Sequence, residues 1–382
     1  MKFIANIVSQ RIKTGQIVSG DYFVSHRSSL GTLFLLCDGI GSGVYANIAA
    51  TLCAARLLEM FKLGISLRAA SETVASGMNR ARTEEDIPFA AFSAALFTSD
   101  GQYNVYGYES PPPIIIQDEK AKVISPRFFA AGFEMIGESV GTLRLGDSMI
   151  LNSDGVTQAG LGHGYGDGDG VGPEGIAEFI NRRLLPKEPK ELLPSKITDM
   201  CASLADFKFD DDATLMLLRC QEARELTVLT GPPIKKAWDS DYAKALFKFP
   251  GKKIICGSTT ASLVSRELGL KVKTVNTGEN LGLPPEYAID GVDLVAEGAV
   301  TLSQVYNVLE EPLEKFEESV VKRFCKLLRE ADVIHFFIGT AVNEAHESLL
   351  FKQLGVRVRK NTLRKLCVQL RRMGKLVTEN YF

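Results

Sequence analysis

Residues 32–43 read TLFLLCDGIGSG. Thr32 to Cys37 form a short apolar run bounded by Gly31 and Asp38, which suits a buried strand. Asp38 ends that run and is followed by glycine. Helical spacing begins almost at once, with Val44, Ile48, Leu52 and Ala55 at steps of 4, 4 and 3. A buried strand, an acidic turn and a helix over 44–63 are therefore expected in sequence.

The same reading extends to the neighbouring chain. A second helix is predicted over 66–82. Strands are predicted over 89–98, 103–108, 113–117 and 147–152, with turn signals at Asp100-Gly101 and Gly146-Asp147. Helices over 173–185 and 189–206 and a last strand over 213–219 follow. Strands and helices segregated in this way argue for an α+β sandwich. Beyond residue 222 the pattern alternates. Strands are predicted over 226–230, 253–256, 272–275, 292–296 and 332–338. Helices are predicted near 239–248, 259–268, 301–329 (broken at Pro312), 340–354 and 361–374. Alternation implies βαβ units and a smaller α/β domain with a mainly parallel sheet. The charge changes at the same point, from −7 over 1–222 to +5 over 223–382. Two domains, 1–222 and 223–382, are expected.

Composition sets the outer limits. The chain has 382 residues, 45% apolar and 24% charged. Those values exclude a disordered chain, a collagen-like repeat and a small disulfide scaffold. No run of about 18 uncharged apolar residues occurs, so no spanning helix and no membrane partner is expected. The start, MKFIANIVSQRIKTG, reaches Arg11 too soon for a secretory segment and lacks a cleavage site, so a cytoplasmic location is expected. Seven cysteines, with no CxxC pair, are expected as buried free thiols. Four histidines are too few for a histidine-rich metal site, so carboxylates should hold any metal.

Four acidic positions share a context. Asp21 lies in SGDYFVS, Asp38 ends LLCD, Asp154 ends MILNSD, and Asp211 opens DDATLMLL. An ionised carboxylate at the end of a buried strand is costly without a partner. No Lys or Arg accompanies Asp38 or Asp154 in sequence. Several such groups converging would repel one another unless a cation lay between them, and Mg2+ or Mn2+ suit carboxylate, carbonyl and water oxygens. The plainer reading of each Asp-Gly pair is ordinary turn chemistry.

In their order, DGIGSG at 38–43, LRLGDSMILNSDGV at 143–156 and DDATLMLL at 211–218 resemble the metal-dependent serine/threonine protein phosphatases. The nearest subgroup is the bacterial phosphatases of the stage II sporulation protein E type, whose proline-containing segment SPPPIII at 110–116 resembles. The resemblance covers roughly residues 1–220. It implies an α-β-β-α sandwich with two Mn2+ or Mg2+ ions at one edge. By resemblance, Asp38 bridges both ions, Asp154 and Asp211 hold one with it, and Asp21 and the Gly39 carbonyl serve the other. Asp210 and Asp212 are the alternatives to Asp211, and Thr214 packs or hydrogen-bonds beside that ligand. The implied activity is hydrolysis of phosphoserine or phosphothreonine by a metal-bridging water. Asp38, Asp154 and Asp211 would act through that water, with no side-chain nucleophile. Eukaryotic relatives add an arginine for the phosphate and a histidine as general acid. His26, Arg27 and His163 are the positions weighed for those roles, and none is assigned. The glycine-rich run 160–172 is either a flap or an insertion.

The resemblance stops at the second domain. Its strands end in small or polar turns: Thr230-Gly231, Gly257 to Thr260, Glu297-Gly298 and Gly339-Thr340. Open α/β sheets bind ligands outside the carboxyl ends of their strands. The segment CGSTTASLVSREL follows a strand and opens a helix, so Ser258, Thr259 and Thr340 are expected to rim a site for a small anionic ligand. It is neither a Walker A loop nor GxGxxG. The plainer reading has Ser258, Thr259 and Thr260 capping the helix. His335 is expected in the core and Trp238 as a packing residue. Nine basic residues and no acidic ones fall between 348 and 378, including Arg357, Arg359 and Arg364. A solvated helix face is preferred there, and no nucleic-acid partner is expected. The partner implied by resemblance is a phosphoprotein, by analogy of the anti-sigma-factor antagonist type. Oligomerisation is left open. A catalytically silent scaffold or ligand-binding regulator, or a small-molecule phosphatase, are the alternatives.

Overall fold

A computed structural model describes residues 1–83, 89–162, 170–185, 188–276, 286–341 and 359–382. Its contacts divide the chain into two units, Met1–Glu222 and Ala223–Phe382.

Among the described residues, eleven strands build the first unit: β1 (Lys2–Arg11), β2 (Asp21–Ser28), β3 (Gly31–Gly39), β4 (Ala90–Phe97), β5 (Gln102–Tyr108), β6 (Ile114–Gln117), β7 (Lys120–Val123), β8 (Arg127–Ala131), β9 (Glu134–Thr142), β10 (Ser148–Asn152) and β11 (Ala213–Glu222). They form two antiparallel sheets, in the orders β1-β11-β10-β6-β7 and β2-β3-β4-β5-β9-β8. The helices are α1 (Gly43–Lys62), α2 (Leu67–Thr83), α3 (Asp154–Thr157), α4 (Gly172–Phe179), which runs into a π turn at Ile180–Leu184, and α5 (Leu193–Leu204).

Side-chain alternation makes the layers. In β3, Phe34 and Leu36 join a cluster with Met149 and Leu151 of β10 and Met216 and Leu218 of β11. That cluster is the core between the sheets. Leu33, Leu35 and Cys37 point the other way, against Ala50, Cys53 and Leu57 of α1 and Val74 of α2. Ile150, Leu215 and Leu217 pack on Ile176, Ile197 and Cys201 of α4 and α5. Each large apolar side chain buried this way contributes about 2 kcal/mol. The order is helices, sheet, sheet, helices, the expected α-β-β-α sandwich.

Among the described residues one helix, α1, is long and apolar enough to cross a membrane by length and composition, but it carries Arg56 and Glu59, so no uncharged apolar run of spanning length occurs. Here its alanine-rich face, Ala46, Ala49, Ala50 and Ala54, packs on the sheet. Strands β1, β2 and β7 to β9 were not anticipated. β1 and β2 are half-buried and interleave polar residues, and β7 and β8 are only four and five residues long.

The second unit comprises β12 (Glu225–Thr230), α6 (Asp239–Ala245), β13 (Lys252–Cys256), α7 (Ser258–Leu268), β14 (Val272–Asn276), β15 (Glu286–Ile289), β16 (Leu294–Ala296), α8 (Ala299–Val308), α9 (Val320–Glu330), β17 (Val333–Ile338), α10 (Arg359–Arg372) and β18 (Leu376–Tyr381). The sheet order is β14-β15-β16-β13-β12-β17-β18. Pairs from β16 through β18 are parallel, and β14-β15 and β15-β16 are antiparallel. The sheet is thus mixed and mostly parallel. Helices cover both faces: Leu226, Val228 and Phe336 pack toward α8, α9 and α10, while Leu229, Ile255 and Phe337 pack toward α6 and α7. Burial on both faces explains why β17, VIHFFI, is apolar at every position but His335. The predicted helix 301–329 is two helices, α8 and α9. Strands β15 and β18 were not anticipated. Most of the predicted helix 340–354, with Arg357, lies outside the described residues. So do His163 and much of the glycine-rich run.

Candidate metal centre

Asp21 opens β2 and Asp38 stands near the end of β3, directly opposite in the antiparallel register. Phe34 and Leu36 face the second sheet, so a period of two aims Asp38 the same way. From that second sheet, β10 ends at Asn152 and Asp154 begins α3. Asn152 pairs with Leu215 of β11. The turn Asp211-Asp212 therefore lies beside Ser153 and Asp154, joined by Ser153 N–H donating to the Thr214 carbonyl (3.0 Å) and Thr214 N–H donating to Ser153 Oγ (2.9 Å).

Two glycines permit this convergence. A Cβ on Gly39 would lie 1.8 Å from the Ala46 carbonyl oxygen, and one on Gly155 would lie 2.2 Å from the Asp212 carbonyl oxygen. Neither glycine has a positive φ. The glycine of each Asp-Gly pair is thus required by close backbone approach.

The carboxylates differ in how they are partnered. Asp212 is fully engaged: Lys13 N–H donates to Oδ1 (2.9 Å) and Gly20 N–H to Oδ2 (2.7 Å). It ties the β1–β2 connection to β11. Asp210 is exposed. Asp211 accepts the Asp212 N–H on Oδ1 (2.9 Å). Asp21 is 3% exposed, and Ser153 Oγ donates to its Oδ2 (2.7 Å) while its Oδ1 has no partner. Gln158 Nε2 donates to Asp154 Oδ2 (3.0 Å), and Asp154 Oδ1 is buried without a partner. A buried, unpartnered carboxylate oxygen is costly unless a cation meets it.

The electrostatics agree. Burial pushes Asp21 up to about 7, against hydrogen bonds from Thr214 and Ser153 and with repulsion from Asp212 and Asp211. Burial pushes Asp38 up to about 10, reinforced by Asp21 and Asp154. Asp211 is also raised, chiefly by burial, with Lys13 opposing. Among the described residues, no three His, Cys, Asp or Glu side chains are gathered closely enough to hold an ion by themselves. The oxygens present still fit a hard hydrated cation, since Mg2+ is held by one or two carboxylates and keeps several waters. A cleft of about 140 Å³ adjoins Asp211, lined by Gly155, Gln158, Leu161 and Phe209.

Other predicted positions lie elsewhere. Arg27 stacks on Phe3 (4.1 Å) and donates to the Ile4 carbonyl. His26 packs edge-on against Phe61, five residues and roughly 17 Å along β2 from Asp21. Ser258 and Thr259 open α7 and are exposed. The N-cap of α7 is Gly257, with no side-chain cap, so the capping reading fails. The Thr340 hydroxyl and N–H both donate to the Phe382 carbonyl, each at 2.7 Å. Sequence reasoning missed Ser153, which bridges Asp21 and Thr214, and Lys13, the cation acting on Asp211. Neither stands out: Ser153 reads as a turn residue and Lys13 as a surface charge.

Two antiparallel sheets between helical layers, with acidic residues meeting at the strand ends, are the architecture of a PP2C-type phosphatase domain. The model of the stage II sporulation protein E (SpoIIE) family matches residues 28–221, and the chain belongs to that family. Among solved structures, the chain is similar to the PP2C phosphatase domain and a fragment of the regulatory domain of SpoIIE from Bacillus subtilis. There the identity is 19% and the TM-score 0.49, over 58% of this chain and 64% of that one. It is similar to the RsbU and RsbW domains of a Mycobacterium tuberculosis protein, at 15% identity and TM-score 0.46, over 64% and 67% of the two chains. It is also similar to RsbX in complex with magnesium, at 16% identity and TM-score 0.41, over 57% and 96%. No protein of curated function matches the sequence.

Proposed function

We propose that Met1–Glu222 hydrolyses phosphoserine or phosphothreonine in a protein substrate, with two Mn2+ or Mg2+ ions held by Asp21, Asp38, the Gly39 carbonyl, Asp154 and Asp211. The observation that carries this reading is the pair of buried, unpartnered oxygens, Asp21 Oδ1 and Asp154 Oδ1, whose carboxylates both act on Asp38. When bound, such ions supply an acidified water and neutralise charge on the phosphoryl oxygens. The chain's own residues do the positioning. Ser153 orients Asp21, Gln158 orients Asp154, and Asp212 locks the β1–β2 connection that carries Asp21. Family membership favours a signalling phosphoprotein, by analogy of the anti-sigma-factor antagonist type. Seven buried, unpaired thiols favour a reducing, cytoplasmic setting. Residues 223–382 supply none of these ligands, and we assign them to regulation or substrate selection.

The test is hydrolysis of p-nitrophenyl phosphate and of a phosphoserine peptide by the full chain in Mn2+, Mg2+ or EDTA. Turnover is expected with either metal and absent in EDTA. Robust turnover in the chelator overturns the reading.

A further inference from the structure

The second unit carries a constellation of opposite character. β13 and β16 are neighbours, and Cys256 pairs with Ala296 at their carboxyl ends. Each strand leads into a helix opened by a glycine, Gly257 before α7 and Gly298 before α8, and neither helix has a side-chain cap. The two glycines face each other: a Cβ on Gly298 would lie 3.5 Å from the Gly257 Cα. Two helix N-termini therefore open side by side, each with N–H groups that have no intrahelical acceptor and with the positive end of its dipole.

The side chains repeat too. Gly257-Ser258-Thr259-Thr260 and Gly298-Ala299-Val300-Thr301 are one Gly-x-x-Thr pattern on adjacent strands. Thr260 and Thr301 are both 0% exposed, and neither hydroxyl has a hydrogen-bond partner. Thr260 Oγ1 lies over Gly257, 3.2 Å from where a Cβ there would stand. Paired unsatisfied hydroxyls at matching positions are an unmet demand for an acceptor. Glu297 also holds one oxygen, Oε2, buried without a partner.

A cation reaches the same rim. The strand order reverses between β12 and β17, the switch point at which open α/β sheets bind ligands. Arg359 occupies it. A Cβ on Gly231 would lie 2.2 Å from the Arg359 Cζ, and Nη2 donates to the carbonyls of Gly339 (2.8 Å) and Ala341 (3.2 Å). Nε and Nη1 have no partner among the described residues. The Cys256 thiol, raised chiefly by burial, also feels Glu297 and Arg359, so both charges stand at this end of the sheet. At roughly 4.8 Å per strand, Arg359 is roughly 10 Å from the glycine pair.

We propose that this rim binds a phosphorylated small molecule with free hydroxyl groups, a sugar phosphate or nucleotide. Its phosphate sits at the Gly257–Gly298 pair, a hydroxyl donates to Glu297, and a further anionic group reaches Arg359. The phosphate accepts from the N–H groups of α7 and α8 and from Thr260 and Thr301. Glu297 needs a donor, which a fully ionised phosphate monoester group lacks and a sugar hydroxyl provides.

The full-length protein in EDTA is titrated calorimetrically with inorganic phosphate, pyrophosphate and ribose 5-phosphate. The chelator removes any metal-held phosphate, so this result is independent of the phosphatase reading. Ribose 5-phosphate is expected to bind tighter than phosphate. Thr260→Val with Thr301→Val removes both hydroxyls at constant shape. The ligand-free melting temperature is expected to hold or rise, while affinity falls at least about tenfold. Arg359→Gln is expected to weaken pyrophosphate more than phosphate. No binding of any probe at millimolar concentration, or unchanged affinity in the double valine variant, overturns the proposal.

Discussion

The two units leave polar groups unpaired at the ends of buried strands, but with opposite sign. In the first, β2, β3, β10 and β11 deliver acidic side chains from two antiparallel sheets, and Asp21 and Asp154 keep oxygens that no donor meets. In the second, parallel β13 and β16 deliver helix N-termini, and Thr260 and Thr301 keep hydroxyls that no acceptor meets. The contrast follows from topology. A parallel βα unit ends its strand at the positive end of a helix dipole, which favours anions. In the first unit β3 and β10 also run into helices, α1 and α3, but Asp38 and Asp154 stand at those turns, so side chains set the charge there. Glycine serves both, by removing a Cβ where backbones must close at Gly39 and Gly155 and by adopting a φ of 124° at Gly257.

The largest expected effect tests the acidic end. Asp38→Asn removes the carboxylate most opposed by burial and by its neighbours. Metal-dependent turnover should fall by about a thousandfold or more. The metal-free melting temperature should hold or rise, because a buried charge has been removed. Wild-type turnover in this variant would break the contrast, since the acidic end would then need no cation. A smaller effect tests the glycine argument. Gly155→Ala drives a methyl into the Asp212 carbonyl, so Mn2+ affinity and stability should fall together, the latter by about 1–3 kcal/mol. Gly77→Ala in α2 meets only the flexible end of Arg56, at 3.5 Å, and should stabilise by about 0.5–1 kcal/mol. Equal melting shifts in the two variants would remove close approach as the reason for Asp154-Gly155.

How legible all this is in sequence depends on how many neighbours decide each residue. Leu33 to Cys37 is buried on both faces, so its apolar run is visible without any partner. β1 pairs with β11 along its whole length, yet its half-buried, mixed residues give no periodic signal. β18 needs β17 beside it to be a strand at all. The acidic residues are visible through their motif order, but the reason for their glycines is not, because Asp212 is distant in sequence from Gly155 and Ala46 meets Gly39 only once α1 packs on β3. Ser258 and Thr259 drew attention as hydroxyls at a helix start. The buried hydroxyl one residue on, Thr260, gains meaning only from Gly298 on the next strand.

The smallest expected effect separates the stability of the two units. His335 lies in β17, 5% exposed, with Nδ1 beside Thr378 Oγ1 (2.9 Å), Nε2 beside Glu225 Oε2 (3.2 Å) and its ring stacked on Phe249 at 3.7 Å. Burial holds its pKa below the usual histidine value, with Glu225 opposing and Lys248 assisting. The folded state thus prefers neutral imidazole while the unfolded chain protonates near pH 6.5. This contribution is present above about pH 6.5 and is lost as the pH falls through the folded value. Trp238 is the sole tryptophan and lies in the second unit. Its fluorescence during urea unfolding should show stability declining from pH 7 to 5 in EDTA. His335→Phe should flatten that slope, since a neutral ring has no proton to gain. Mn2+ should leave the slope unchanged, because the proposed ions bind the other unit. A slope that persists in His335→Phe assigns the acid sensitivity to another group, and a slope that Mn2+ abolishes would mean that the two units do not respond separately.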